Sequence, residues 1–138
     1  MKIEDVKSVH LLEKECFSMP WSEKSLESEV NKKDALFCIW EENGKIAGYA
    51  GMYFVCGEGD ITNVAVFSDY RKCGIAEKIL KGMFEIAYKQ GINEFTLEVR
   101  KSNEIAIKLY EKLGFVIEGT RKNFYDNLKE DGLIMWKR

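Results

Sequence analysis

Residues 60–90 constrain the fold more than any other stretch of this chain. Ile61-Thr62-Asn63-Val64-Ala65-Val66 reads as a buried strand, and Phe67-Ser68-Asp69-Tyr70 as a turn. Arg71-Lys72-Cys73-Gly74-Ile75-Ala76 is then a glycine-containing basic loop that runs into an amphipathic helix. The first amides of a helix have no internal partners, and the helix dipole places partial positive charge there. Gly74 removes a side chain where an anion must come close, and Ala76 stays small. Arg71 and Lys72 add full charges. Strand, loop and helix together point to a pyrophosphate site. The loop carries neither the Gly-x-x-x-x-Gly-Lys-Ser/Thr spacing of a nucleoside-triphosphate loop nor a Gly-x-Gly-x-x-Gly fingerprint. Taken alone, the same residues also fit an ordinary strand-to-helix turn with surface charges.

The rest of the chain supplies the frame. Val6, Val9, Leu12 and Cys16 recur at near-helical spacing over Val6–Phe17, and Met19-Pro20-Trp21 breaks the run. Ser22 is an N-cap for a second short helix to about Asn31. Leu36–Trp40 reads as a strand, Asn43-Gly44 as a two-residue hairpin turn, and Lys45–Val55 as the returning strand. Gly57-Glu58-Gly59 is read as the next turn. The helix after the loop is expected to bury Ile75, Ile79, Met83 and Ile86 and to stop at Gly91. Phe95–Arg100 is a strand, and Asn103–Leu113 a helix with Ala106, Leu109, Tyr110 and Leu113 on one face. Phe115–Phe124 and Leu133–Lys137 complete the sheet. The order ααβββαβαββ, with hairpins first and a βαβ crossover later, is an α+β fold with a mixed, mostly antiparallel sheet flanked by helices. Its 138 residues suit one domain, 1–138, around one core.

Composition removes several function classes. The net charge is −2 and no Lys/Arg block stands out, which argues against general nucleic-acid binding. No apolar run has the length of a membrane span, and Met-Lys-Ile-Glu-Asp-Val carries no signal-peptide core. Cys16, Cys38, Cys56 and Cys73 are widely spaced, and the chain has one histidine, His10. That pattern fits free thiols in a reducing cytoplasm better than a zinc site, and no metal is expected. His10 reads as an exposed helix residue without a role.

Arg-x-x-Gly-x-Ala after a strand resembles the acyl-coenzyme-A loop of the GNAT N-acetyltransferases, and the element order matches their fold over essentially the whole chain. An ordered set of pieces narrows the likeness. It comprises Cys16-Phe17-Ser18-Met19-Pro20-Trp21-Ser22-Glu23, Asn63-Val64-Ala65-Val66, Leu97-Glu98-Val99-Arg100, Ser102-Asn103, Ala106, Leu109-Tyr110, Leu113-Gly114-Phe115 and Arg121-Lys122-Asn123-Phe124-Tyr125. Together these resemble the bacterial ribosomal-protein-alanine N-acetyltransferases. The chain departs from that branch in having Ser68 where proline is usual, Ala76 for glycine, Phe124 for tyrosine and Gly132 for alanine.

The resemblance implies acetyl transfer from acetyl-CoA to an amine. An α-ammonium has a pKa of roughly 7.7–8.0 against about 10.4 for lysine, so an α-amine needs only a modest base. Glu98 is the implied base; strand alternation puts it on one face with Thr96 and Arg100, and a surface pair with Arg100 is the bland alternative. Tyr110 is the implied acid for the departing sulfur, and otherwise a core aromatic. The resemblance implies that the backbone of Val64, Ala65 and Val66 binds the pantetheine arm and polarises the thioester carbonyl. Asn103 is a helix cap, a coenzyme A contact, or both. Arg71, Lys72, Cys73, Gly74, Ile75 and Ala76 complete the implied cofactor site.

The acceptor is then a protein N-terminus, with a small-subunit ribosomal protein as the implied partner. Glu58 and Asp60 are expected to join Glu98 at an acidic entrance suited to a cationic peptide. Trp21 either walls that cleft or anchors the core, and Tyr125 orients peptide backbone. Two other functions compete: acetylation of a small amine such as a polyamine, aminoglycoside or amino acid, and non-catalytic acyl-coenzyme A sensing. A sensor needs neither Glu98 nor Tyr110. The sequence sets no oligomeric state.

Overall fold

A computed structural model of the chain describes residues 1–17, 19–71, 74–125 and 130–138, with the side chains of 123–125 also outside the description. After a 3-10 turn at Ile3–Asp5 come α1 (Val6–Cys16) and α2 (Glu23–Glu29), the second capped by the Ser22 hydroxyl oxygen, which accepts from the Ser25 amide. Strands β1 (Ala35–Glu42), β2 (Lys45–Val55) and β3 (Glu58–Val66) follow. Then come α3 (Ile75–Lys89), β4 (Glu94–Arg100), α4 (Glu104–Lys112), β5 (Val116–Tyr125) and β6 (Glu130–Lys137). Among the described residues no helix is long and apolar enough to cross a membrane.

The six strands form one sheet in the order β1-β2-β3-β4-β6-β5. Every pairing is antiparallel except that of β3 with β4. A two-residue turn joins β1 to β2 at Asn43 and Gly44, both with positive φ, as a hairpin matched to strand twist requires. The second hairpin turns at Cys56 and Gly57, φ 49° and 84°, not at Gly57-Glu58-Gly59. Gly59 belongs to β3, where a Cβ would stand 2.3 Å from the Met52 sulfur. Its glycine is a packing requirement and not a turn signal.

The sheet separates two apolar layers. Val6, Val9 and Leu12 of α1 and Leu26 of α2 pack on Phe37, Tyr49 and Ala65. On the other face, α3 and α4 cover Ala50, Met52, Ile61, Phe95, Leu97 and Val99. The apolar stripe of α3 is broader than expected and runs through Leu80, Phe84 and Ala87. That shift leaves Ile86, expected in the core, at the rim and exposed.

Strand β3 changes sides partway along. Met52 pairs with Ile61, but Gly51 pairs with Asn63, so Thr62 is an extra residue in a β-bulge. Before the bulge, Ile61 faces α3; after it, Asn63 and Ala65 face α1 while Val64 and Val66 face α3. Simple alternation does not give this pattern, because paired residues share a face and the bulge breaks the count.

Candidate active site

β3 and β4 pair only at Glu58–Glu94, Gly59–Phe95 and Asp60–Thr96. Past that point β3 remains paired with β2 as far as Val66, so its other edge, from Ile61 onward, lines a widening gap. Backbone amides and carbonyls along such an edge can bind an extended ligand, apart from the Val66 carbonyl, which accepts from Arg71 and Cys16. Val64 and Val66 are half-buried on the α3 side of this edge, and Ala65 is buried on the α1 side.

A cavity of about 330 Å³ occupies the gap. Phe17, Thr62, Asn63, Glu98, Asn103 and Tyr110 contribute to its lining. Glu98 comes from the α1 side of the sheet and Tyr110, 8% exposed, from α4 on the opposite side. The Tyr110 ring sits edge-on to Phe115 at 5.8 Å between centroids. Glu98 does not pair with Arg100. Its Oε1 is 3.0 Å from Nη2 of Arg121, while Oε2 is buried and accepts no hydrogen bond among the described residues. Arg100 lies 3.8 Å from Glu130 instead. Asn103 is the α4 cap, its Oδ1 accepting from the Ala106 amide at 3.2 Å, and it also borders the cavity.

A second, mostly apolar hollow of about 370 Å³ lies beside the loop, lined by Val66, Tyr70, Arg71, Gly74, Ile105 and Leu109, with Ile75 and Ala76 at its helix end. Gly74 is the α3 N-cap at φ +73°, a left-handed conformation that favours glycine. It turns the chain so that the first amides of α3 open beside this hollow. Arg71 Nε donates to the Val66 carbonyl at 3.2 Å, and its Nη2 to the Cys16 sulfur at 3.3 Å. Arg71 thus ties the loop to the end of β3. Lys72 and Cys73 lie outside the described residues.

The other candidates divide. Asp60 is beside Thr96 on the face that carries Glu98, and partial desolvation raises its carboxyl above the usual carboxylate range. Glu58 pairs with Glu94, four residues from Glu98 and so about 13 Å along the strand. It is not at the cavity mouth. Trp21 does not line the Glu98 cavity; its ring packs edge-on to Phe37 at 6.4 Å, the core-anchor alternative. His10 is half-buried, its Nδ1 2.8 Å from the Trp21 carbonyl oxygen. The Tyr125 side chain is outside the described set. Phe17 and Asn63, which line the cavity, and Arg121, which pairs with Glu98, belong to the site and were missed, and Glu13 was not foreseen as a buried carboxyl. Glu13 stands four residues after Val9 on the inner face of α1, a position where a carboxyl is conspicuous.

An open strand edge, a helix N-terminus beside an apolar hollow, and a carboxyl and a phenol lining one gap make up the candidate site. Residues 6–115 match the Acetyltransferase (GNAT) family, and the chain belongs to it. It is an acetyl-CoA-dependent N-acetyltransferase. A Bacillus subtilis relative is 35% identical over 137 residues, 99% of this chain and 91% of its own. The [Ribosomal protein bS18]-alanine N-acetyltransferase of Escherichia coli K12 is 35% identical over 133 residues, 95% of this chain and 89% of its own. The crystal structure of the E. coli ribosomal-protein-S18-alanine N-acetyltransferase superposes with a TM-score of 0.90 at 33% identity, covering 99% of this chain and 89% of that one.

Proposed function

We propose that this chain acetylates the N-terminal α-amine of a protein, with alanine as the first residue and a small-subunit ribosomal protein as the physiological acceptor. The observation that carries the chemistry is the gap lined by Tyr110 and by Glu98, whose Oε2 has no hydrogen-bond partner among the described residues, the two coming from opposite faces of the sheet. The printed activity of the E. coli relative, over nearly the full length of both chains, supports the acceptor. We read residues 1–138 as one acetyltransferase domain.

In this reading Glu98 takes a proton from the acceptor ammonium through Oε2. The freed nitrogen attacks the acetyl carbonyl, a C–N bond forms, and the C–S bond breaks. Tyr110 donates its hydroxyl proton to the departing sulfur. The backbone of Val64, Ala65 and Val66, through the amides and carbonyls that β2 leaves unpaired, holds the carbonyl oxygen and the pantetheine arm as charge develops. The α3 amides behind Gly74 hold the pyrophosphate together with the loop residues Arg71, Lys72, Cys73, Ile75 and Ala76. Asn103 contacts the cofactor from the cap of α4. Asp60 favours a basic residue soon after the reacting amine.

The test is mass spectrometry of an acceptor panel incubated with acetyl-CoA: peptides beginning Ala-Arg, the same peptides with a bulky first residue, polyamines, aminoglycosides and free amino acids. Acetylation at the α-amine of the Ala-Arg peptide, not on lysine side chains, is expected. Acetyl found only on lysine or on a small amine overturns the reading. Acetyl-CoA binding without turnover on any acceptor leaves a sensor.

A further inference from the structure

The turn that follows β3 is held from outside by the last turn of α1. Ser68 opens the 3-10 turn Ser68–Tyr70. Within it the Tyr70 N–H bonds to the Phe67 carbonyl at 2.9 Å and the Arg71 N–H to the Ser68 carbonyl at 3.3 Å. The Phe67 N–H belongs to the sheet and bonds to the Ala47 carbonyl at 2.9 Å. Neither pattern takes up the Ser68 N–H, because the first amides of a helical turn have no partner inside it. Glu15 supplies the acceptor: its Oε1 lies 2.8 Å from the Ser68 nitrogen, across 53 positions of chain. The next residue of α1 grips the far end of the turn. Cys16 Sγ donates to the Val66 carbonyl at 3.5 Å and accepts from Arg71 Nη2 at 3.3 Å.

We propose that Glu15 is a positioning residue for acetyl-CoA, acting through the Ser68 amide on the turn that borders the cofactor hollow.

The leverage is direct. Tyr70 and Arg71, at the end of this turn, line the hollow beside Gly74. A displacement of the turn therefore reshapes the cofactor site. Ser68 is also a point where this chain departs from the proline usual in the ribosomal-protein-alanine branch. A proline suits the first position of a helical turn, fixes its own φ near −65° and has no N–H. It would stiffen the turn from within and leave the Glu15 carboxylate nothing to bind there. Serine gives up that restraint and brings a donor, and the bond from α1 restrains the turn in its place. The Glu15 side chain is exposed and packs in neither apolar layer, so its use is the contact it makes. The acceptor side is separate. Glu15, Ser68, Tyr70 and Arg71 do not line the Glu98 cavity. Phe17, which does, is held by its own N–H bond to the Glu13 carbonyl at 2.9 Å. The effect of Glu15 should fall on the cofactor alone.

This inference rests on the assignment of the Gly74 hollow as the cofactor site. The experiment uses the whole chain, with calorimetry of coenzyme A binding and kinetics on whichever amine the wild type acetylates. Glu15→Ala should raise the coenzyme A Kd and the acetyl-CoA KM about fivefold, the worth of a charge-assisted hydrogen bond discounted for exposure. Its kcat and acceptor KM should stay within about twofold of wild type. Glu15→Gln keeps an oxygen that can accept the same N–H and should recover most of the loss. Ser68→Pro removes the donor, so adding Glu15→Ala to it should change coenzyme A affinity no further. A fivefold loss that persists in the Ser68→Pro background overturns the proposal, as do equal rises in both KM values. Unchanged coenzyme A affinity in Glu15→Ala also overturns it. Gly74→Ala then separates the two readings: if that variant weakens coenzyme A, the cofactor site stands and only the role of Glu15 falls; if it does not, both fall.

Discussion

Arg121 reaches Glu98 across β6, with Nη2 3.0 Å from Oε1. Register explains the reach. Arg121 pairs with Gly132 and Glu98 with Ile134, so the guanidinium passes a position without a side chain. The two carboxylate oxygens are thereby given different tasks: one is anchored, and the other is buried and open toward the gap.

Glu98→Gln preserves shape but removes the proton acceptor, and should lower kcat by roughly 10²-fold or more. Tyr110→Phe should cost a similar factor at the leaving group. Calorimetry should find acetyl-CoA binding nearly intact in both. Steady-state rates within about twofold of wild type would remove both residues from the chemistry.

Arg121→Gln tests the anchor. Loss of the charged contact should lower kcat/KM for the acceptor by about five- to tenfold, through poorer orientation of Oε2. The KM for acetyl-CoA should stay level, since Arg121 does not line the Gly74 hollow. Equal damage to both substrates would point to a folding defect, which a melting curve would reveal.

Asp60 should give opposite signals in stability and binding. Desolvation raises its pKa in the folded chain, so the folded state resists ionisation more than the unfolded state does. That resistance costs stability above the folded value and costs nothing below the unfolded value of about 3.9. Asp60→Asn should therefore raise Tm at pH 7, and the gain should vanish near pH 3. The same variant should raise KM for a cationic peptide more than it lowers kcat. A Tm gain that persists at low pH would have another origin.

Gly74→Ala puts a side chain at φ +73° with open space around it. The penalty is conformational and should be about 1–2 kcal/mol of folding stability, measured by urea titration. Relief of that strain by straightening the loop would move the α3 amides, so acetyl-CoA affinity should fall as well.

Features governed by local chemistry were legible in the sequence. Asn43-Gly44 demanded a hairpin, Ser22 and Asn103 announced helix starts, and alternation in β4 separated Glu98 from Leu97 and Val99. The pairing of Glu98 with Arg121 was not, because it depends on register between strands 23 residues apart in the chain. Glu58 and Asp60 looked equivalent at alternate positions. Only the parallel register with β4 shows that one is beside Thr96 and the other lies further back, beside Glu94. Gly59 resembled punctuation between two hairpin strands, and its reason is the Met52 sulfur from the facing strand. Glu13 sat in plain view on the apolar face of α1. Its two partners, however, come from a later loop and a later strand, and no spacing rule connects them.

The three-pair seam between β3 and β4 also has a mechanical meaning. Within the sheet it is the sole hinge line between two antiparallel halves, β1-β2-β3 and β4-β6-β5. A cosubstrate laid into the gap acts as a splint across that line. By mass action the folded enzyme then gains stability with the logarithm of its reagent's concentration, about 2.7 kcal/mol at a hundredfold excess over Kd.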